Sequence, residues 1–219
     1  MVVPDVGYNK FLTPAPVGID ENLIVSITIN FRKVLLINEN ENFIKIWASL
    51  EKMWYNSQLT YQNLKKEKDN QVYKDDIEMM FDPWIELVNK EDDGKCKKTK
   101  RHTTFKIIPN WLFNFTKNHY SNYFNAYLFE GSNNVLFKVS DSTCEVICEF
   151  NYYWYPFDTQ NCPFVIKTPH RNLKIEAADV FYTGPSDLGK YHYENINFCY
   201  DNDGEQALLI DLVFKVLLH

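Results

Sequence analysis

The sequence has few glycines and no long apolar segment. Only 7 of the 219 residues are glycine, which leaves few positions for turns that need a positive φ. No stretch approaches the roughly 20 apolar residues of a transmembrane helix. The first residues also lack the apolar run of a secretory signal peptide. These absences predict either a mature or truncated extracellular domain or a cytosolic protein.

Zinc-type cysteine spacing and clustered basic charge are missing as well. No C-x-x-C pair occurs and the five histidines are scattered, so the sequence predicts no metal site and no cofactor. The net charge is −6, and the single basic run at 97–101 follows an acidic segment at 91–93, so nucleic acid is not an expected partner. No segment assembles a nucleophile with a base and an orienting acid, and an enzyme is therefore not expected.

Aromatic residues and alternating strands are abundant instead. The chain has 14 Tyr, 16 Phe and 5 Trp, enough to fill the thin core between two packed sheets. Residues 23–31 alternate apolar and polar side chains, as a half-buried strand does. Similar strand patterns recur at 43–54, 135–140, 173–182 and 206–218. The sequence predicts one all-β domain over 1–219, an antiparallel sandwich of about ten strands with a short helix around 8–12 that Pro14 ends.

Two cysteines enclose an unusual aromatic segment. Thirteen residues separate Cys148 from Cys162, and W-Y-P-F-D occupies the centre at 154–158. A disulfide across a loop of this size would stabilise the fold by roughly 3 kcal/mol in the chain-entropy model. At least one thiol is left over unless chains cross-link. The other three cysteines are Cys96, Cys144 and Cys199.

This spacing and the W-Y-P-F-D tip resemble the signature loop of the Cys-loop receptors, the pentameric ligand-gated ion channels. Other segments fall in the family's order, and FDPWIELVN at 81–89 is similar to its W-x-P-D-x-x-x-x-N segment. The remaining matches are YNKFLTP at 8–14, the N-E-N-E-N turn at 38–42 and WYNSQLTY at 54–61. The resemblance covers nearly the whole chain and concerns the extracellular domain alone. It implies an immunoglobulin-like twisted sandwich, closed by a Cys148–Cys162 disulfide.

In that family five such domains form a ring and bind agonist between neighbouring subunits. The implied partners are identical or homologous subunits, a small molecule at the interface and the membrane domain of the full receptor. The implied location is the extracellular side of the cell membrane. Two alternatives stay open, a soluble pentameric binding protein of the same fold and an adhesion or carbohydrate-binding sandwich. The thirteen-residue loop with its apolar tip favours the receptor, because the corresponding loop of the soluble proteins is typically shorter and more polar.

The resemblance assigns the loop tip to coupling between agonist and pore. An exposed apolar patch on a soluble domain usually marks an interface, and here it would rest on the membrane helices. The implied coupling residues are Tyr155, Pro156, Phe157 and Asp158, with Glu39 or Glu41 as further charged partners. Separately, Asn114 begins an N-x-T triplet that fits N-glycosylation if the chain is secreted.

The agonist site carried over from the family is an atypical aromatic box. Val88 stands where acetylcholine-type receptors have a Tyr, Pro169 where they have the central Trp, and Ser49 where they have another Trp. The implied residues of the principal face are Val88, His170, Arg171, Tyr193, Phe198 and Tyr200. Those of the complementary face are Trp47, Ser49, Phe137 and Val139. His170 and Arg171 either belong to a solvated turn or bring positive charge to the pocket, and in the second case an anionic or zwitterionic ligand is expected. Acetylcholine is not the expected agonist, and the chain resembles an orphan invertebrate subunit.

Overall fold

The computed structural model describes residues 2–4, 9–12, 22–56, 58–61, 80–88, 96–98, 104–109, 134–155, 157–200 and 207–217. Twelve β-strands lie within these ranges, and no helix does. The strands are β1 Val2–Pro4, β2 Leu23–Asn38, β3 Phe43–Tyr55, β4 Leu59–Tyr61, β5 Glu86–Val88, β6 Cys96–Lys98, β7 Thr104–Pro109, β8 Asn134–Ile147, β9 Thr159–Lys167, β10 Leu173–Tyr182, β11 Tyr191–Tyr200 and β12 Ala207–Val216. Within the same ranges, no helix is long and apolar enough to cross a membrane.

Two sheets form the sandwich, which confirms the predicted all-β fold. The first has six strands in the order β10-β2-β3-β8-β6, with β7 also paired to β8. The second has four, in the order β11-β12-β9-β5, and β1 pairs with β4 apart from both. One pair differs from the antiparallel prediction, because β10 runs parallel to β2. Since β10 follows a strand of the other sheet, it enters by a crossover rather than a hairpin, and its direction is not fixed by a turn.

The core lies between the two sheets and is built from alternate residues of each strand. Ile27 and Ile29 of β2, like Ile44 and Ile46 of β3, are buried on this inner face. Phe164 of β9 reaches across from the second sheet, and its ring centroid lies 5.1 Å from that of Phe31. Packing between sheets of this kind buries large apolar areas and provides most of the stability.

The short N-terminal helix predicted around residues 8–12 is not seen. In the described part of this segment, Leu12 N–H donates to Asn9 O at 3.0 Å, which closes a single turn. Phe11 N–H donates to Asn9 Oδ1 at 3.0 Å. An asparagine side chain that binds nearby backbone competes with helix formation, and Pro14 disfavours helical backbone just before it. The prediction of a helix here was wrong.

The predicted Cys148–Cys162 disulfide is confirmed. It joins the end of β8 to the middle of β9, and both cysteines are fully buried. The segment between them therefore begins and ends at fixed points of the sandwich. Cys199 is a free, exposed thiol, and Cys144 is disulfide-bonded.

We predict that Cys96 is the partner of Cys144. The two residues are directly opposite each other in the β6–β8 ladder, and the other cysteines are accounted for by the Cys148–Cys162 bond and the free Cys199. Mass spectrometry of a non-reduced proteolytic digest should find a peptide pair that links residues 96 and 144. Alkylation of Cys144 in the non-reduced protein would contradict this pairing.

Candidate functional site

Alternate residues of β3 and β8 form a polar and aromatic surface on the face of the six-stranded sheet that points away from the core. Ser49 is directly opposite Asp141, Glu51 is directly opposite Val139, and Trp47 precedes Ser49 by two residues. Residues two apart on a strand share a face, so these five form one surface, called here the β3–β8 patch. The predicted complementary-face residues of both strands thus lie side by side.

Arg32 joins the β3–β8 patch from β2. The β2–β3 register shifts between Phe31 and Lys33, so Arg32 occupies a β-bulge, a feature that re-aims a side chain. Its guanidinium carbon lies 5.5 Å from the Trp47 ring centroid, and its Nε is 4.0 Å from Asp141 Oδ1. The patch therefore combines a cation, an aromatic ring and two carboxyl groups.

Ser49 and Asp141 of the β3–β8 patch are buried, and Glu51 is half-buried. Ser49 is 0% exposed, and its hydroxyl has no hydrogen-bond partner among the described residues, which is uncommon for a buried polar group. Burial raises the pKa of the Glu51 carboxyl, Arg32 opposes that shift and Asp141 adds to it. Perturbed groups of this kind are frequent at binding sites.

Three residues of this surface were missed from sequence. Glu51 follows Ser49 by two residues and Asp141 follows Val139 by two, so the strand period could have identified both. Arg32 was harder to find, because its place beside Trp47 depends on the register between β2 and β3. Periodicity within a single strand does not give that register.

Phe137, the remaining complementary-face prediction, lies on the same sheet face but is buried. It is directly opposite Met53, and these two side chains form a small apolar cluster with Tyr55 and Val139 packed against them. This cluster is separate from the main core. Phe137 thus lies beside one end of the β3–β8 patch, in a cluster against which Val139 packs.

On the second sheet, the segment between β9 and β10 carries His170 and Arg171. The His170 ring makes an edge contact with the ring of Phe81, at a centroid distance of 5.6 Å, while Arg171 is exposed. The backbone of Val88 in β5 is directly opposite Val165 of β9. These predicted principal-face residues therefore lie near one end of β9.

Ion pairs fix the chain next to Phe81. Lys52 Nζ donates to Asp82 Oδ1 and to Pro83 O, both at 2.7 Å, and Lys138 Nζ also donates to the Asp82 carboxylate. Burial would raise the pKa of Asp82, but Lys52 and Lys138 outweigh it and hold the pKa below its usual value. This network ties the predicted principal-face segment to β3 and β8.

The aromatic residues predicted on β11 separate into two positions. Phe198 and Tyr200 are 45% and 37% exposed at the far end of this edge strand. Tyr193 lies seven residues before Tyr200, about 20 Å away along an extended strand. Its ring centroid is 4.2 Å from that of Tyr182 and 6.3 Å from that of Phe214. The structure therefore groups Phe198 with Tyr200 and places Tyr193 elsewhere.

The two candidate half-sites of one chain lie on different sheets. The β3–β8 patch is on the outward face of the six-stranded sheet, whereas His170, Phe198 and Tyr200 belong to the four-stranded sheet or its adjoining loop. The core lies between the sheets.

A second cluster joins three loops at the opposite end of the sandwich. Lys190 Nζ donates to both carboxylate oxygens of Glu39 at 2.8 Å, and the Tyr191 hydroxyl donates to Glu39 Oε1 at 2.8 Å. The Tyr152 and Tyr191 hydroxyls lie 2.9 Å apart. The ammonium of Lys190 is also 5.1, 5.8 and 5.7 Å from the rings of Tyr152, Tyr155 and Tyr191, within cation–π range. This group is called here the Lys190 cluster.

The aromatic tip of the disulfide loop extends beyond this cluster. Trp154 and Phe157 are 72% and 73% exposed, and Tyr155 is exposed too. Asp158 is buried instead, and its Oδ1 accepts a hydrogen bond from Trp154 N–H at 2.6 Å. The carboxylate therefore shapes the tip from inside. Its backbone oxygen accepts from Val216 N–H at 3.1 Å, which fastens the tip to β12.

Other predicted residues lie apart from the Lys190 cluster or outside the described ranges. Glu41 is exposed and accepts a hydrogen bond from Asn38 Nδ2 at 2.9 Å within its own turn. Of the two acidic candidates, Glu39 is thus the one that contacts another loop. Pro156 and Asn114 fall outside the described residues, as do the side chains of Val88 and Cys96.

Replacing Glu39 by Gln is expected to lower the free energy of unfolding by about 0.5–1 kcal/mol at neutral pH, the scale of a partly exposed ion pair. The hydrogen bond from Lys190 lowers the pKa of Glu39 below its ordinary 4.5. A carboxyl with a lowered folded pKa stabilises the fold above its unfolded pKa, and this contribution is lost as pH falls through the folded value. The difference between wild type and variant should therefore shrink below about pH 4.5. Urea denaturation at several pH values measures it.

The contribution of Lys190 to stability is expected to change at high pH instead. Its pKa is raised, first by the hydrogen bond to Glu39, so its contribution is present below its unfolded pKa and is lost only as pH rises through the raised folded value. Glu41→Gln is the matched control and should change stability by less than about 0.5 kcal/mol. Equal effects of the two variants at neutral pH would argue against a special role for Glu39.

Comparison with known families identifies the family of the chain. The family described as "Neurotransmitter-gated ion-channel ligand binding domain" matches residues 4–175, which include β2 to β9 and the whole disulfide loop. A search of curated proteins found no match. The matched region exceeds half of the 219-residue chain. The chain therefore belongs to the neurotransmitter-gated ion-channel ligand-binding domain family.

Proposed function

We propose that the chain is the extracellular agonist-binding domain of a pentameric ligand-gated ion channel subunit, with the agonist bound between neighbouring copies. The observation that carries this proposal is the placement of two half-sites on opposite sheets. The β3–β8 patch points away from the core on one sheet, and the exposed Phe198 and Tyr200 lie on the other. A second subunit would bring one chain's patch against its neighbour's β11.

The charges of the half-sites favour a zwitterionic agonist. Arg32 offers a guanidinium next to the Trp47 ring, and guanidinium groups pair well with carboxylates. Glu51 and Asp141 offer acidic groups on the same surface, and His170 would face them from the neighbouring subunit. A compact molecule with one carboxylate and one ammonium group matches this set, because each charge would find a partner and the ring would cover the ammonium.

The proposed route to the pore runs along β11. This strand begins at Tyr191 in the Lys190 cluster and ends at Tyr200 in the candidate half-site. A hydrogen-bonded strand pair moves largely as a unit, so displacement of the β11–β12 hairpin by agonist would act on the Lys190 cluster and the aromatic tip. The exposed Trp154 and Phe157 are suited to contact an apolar partner, which we propose to be the membrane domain of the receptor.

Light scattering of the purified chain over a range of concentrations tests the assembly. A mass near five times 26.0 kDa is expected for the ring. Calorimetric titration with a panel of amino acids and monoamines then tests the ligand class, and the amino acids are expected to give saturable binding. Arg32→Ala should weaken that binding about tenfold or more, since a charge-assisted contact is lost, whereas the control Lys215→Ala on β12 should not.

Two outcomes would contradict the proposal. A chain that stays monomeric at every concentration and binds no ligand in an Arg32-dependent way would fit an adhesion sandwich better. Saturable binding that is unchanged in Arg32→Ala would remove the β3–β8 patch from the site. The soluble binding-protein alternative also expects a pentamer, and a full-length transcript with downstream hydrophobic spans distinguishes the receptor from it.

A further inference from the structure

A cavity of about 110 Å³ lies inside the sandwich, in the core of a single chain and apart from both half-sites. One wall is the inner face of β2, β3 and β8, and the facing wall comes from β9 and the segment before β5. Its lining residues are Ile29, Phe31, Ile46, Ala48, Leu50, Ile85, Ser140, Ser142, Cys144, Phe164 and Ile166.

Small side chains in the centre of the first sheet explain the space. Ala48 of β3 is directly opposite Ser142 of β8. The preceding residue of β3 on the same inner face is the larger Ile46. Phe31, on the other side of Ala48, leans toward Phe164 of the second sheet. Two small residues of the wall therefore face each other across one strand pair, and both border the cavity.

The lining defines which molecules would be accepted. None of the lining side chains among the described residues is charged, so an ion would lose its hydration without compensation. The Ser140 hydroxyl is used internally, since it donates to Leu50 O at 3.4 Å. Ser142 Oγ lies 3.6 Å from Cys144 Sγ, and sulfur is a weak partner. The Ser142 hydroxyl thus remains available to a guest molecule whose other neighbours are mostly apolar side chains.

Entry from solvent is open at one edge. Leu50, Ile85, Ser140 and Ser142 are only half-buried, whereas Ile29, Ile46 and Phe164 at the other end of the cavity are buried. A small molecule could therefore enter between β8 and the segment before β5 without unfolding of the sandwich. Its apolar part would lie deepest, and a hydroxyl would remain near the two serines.

We propose that this cavity is a binding site for a small uncharged molecule, either an inert apolar one or an alcohol of roughly three to five carbons. Apolar cavities of about 150 Å³ accept benzene or xenon, so a slightly smaller one takes a guest of this size. The site needs no second subunit. It is consequently independent of the interfacial agonist site proposed above and would hold in a monomer.

Titration of the whole chain with 1-butanol, followed by NMR of labelled isoleucine methyl groups, tests the site. The methyl signals of Ile29, Ile46 and Ile166 are expected to shift and saturate at millimolar alcohol, as suits a ligand of few atoms. Ala48→Leu fills the cavity and should weaken binding about tenfold or more. Ala207→Leu is the control, because it adds the same atoms to a residue that does not line the cavity.

A series of alcohols on the wild-type chain provides a second measurement that needs no variant. Affinity should rise from ethanol to 1-butanol as more apolar surface is buried and fall again for 1-octanol, which exceeds the cavity. Shifts that grow linearly without saturation, or affinity that rises continuously with chain length, would overturn the proposal in favour of weak surface contact. Equal binding by the Ala48 and Ala207 variants would do the same.

Discussion

Phe164→Ala is expected to lower the free energy of unfolding by about 3–5 kcal/mol, the usual cost of removing a buried aromatic ring. The side chain is fully buried and spans the space between the sheets to reach Phe31 at 5.1 Å. It also borders the interior cavity, so its removal would enlarge an existing void that the rigid sheets cannot close. Urea denaturation followed by tryptophan fluorescence measures the change.

Phe198→Ala is the matched control for this substitution. Its ring is largely exposed on the edge strand β11, and surface substitutions usually change stability by less than about 0.5 kcal/mol. If Phe198 serves binding, its loss should affect ligand affinity and leave the fold intact. Comparable destabilisation by the two variants would mean that Phe198 is part of the core rather than of a site.

Features that depend on burial of one strand face were predictable from sequence. The alternation in β2 and β3 follows from the need to bury Ile27, Ile29, Ile44 and Ile46 while neighbouring residues face outward. The disulfide loop was equally predictable, because cysteine spacing and an aromatic tip are local features of the sequence. Ser49 and Val139 were assigned to one half-site by the family resemblance rather than by the strand period, and the β3–β8 register places them on a common face.

Features that depend on pairing between distant segments were not predictable from the sequence. The parallel pairing of β10 with β2 is set by a crossover, and the place of Arg32 by a bulge in β2. Asp158 was expected as a charged partner at the junction with the membrane domain, and the structure shows it buried, with its Oδ1 accepting a hydrogen bond from Trp154 N–H. No pattern in the sequence distinguishes a carboxylate that caps its own loop from one that faces a partner.

The Lys190 cluster illustrates the same limit. Glu39, Tyr152 and Lys190 are far apart in sequence and carry no shared motif, but three loops bring them together. Glu39 was proposed through the family resemblance, as an alternative to Glu41, while Lys190 was not identified. The backbone adds to the connection, since Lys190 O accepts from Leu217 N–H at 2.8 Å, just after β12. The cluster is thus joined to the last strand as well as to the disulfide loop.

Removing the Cys148–Cys162 disulfide with the double variant Cys148→Ala/Cys162→Ala is expected to cost roughly 3 kcal/mol, by the loop-closure argument. Both cysteines are fully buried, so alanine avoids leaving unpaired hydroxyls in the core. Substitution is preferable to a reducing agent, because reduction would also break the bond of Cys144. Denaturant titration in non-reducing buffer gives the value.

Cys199→Ala is the control for this double variant, since the thiol is free and exposed, and a change below about 0.5 kcal/mol is expected. The disulfide also holds the ends of the aromatic tip, while Asp158 and Val216 hold its centre through a backbone bond of 3.1 Å. If the tip depends on the disulfide, limited proteolysis of the double variant should cut first between residues 148 and 162. Cleavage there in wild type at the same rate would show that the cysteine bridge does not set the order of the aromatic tip.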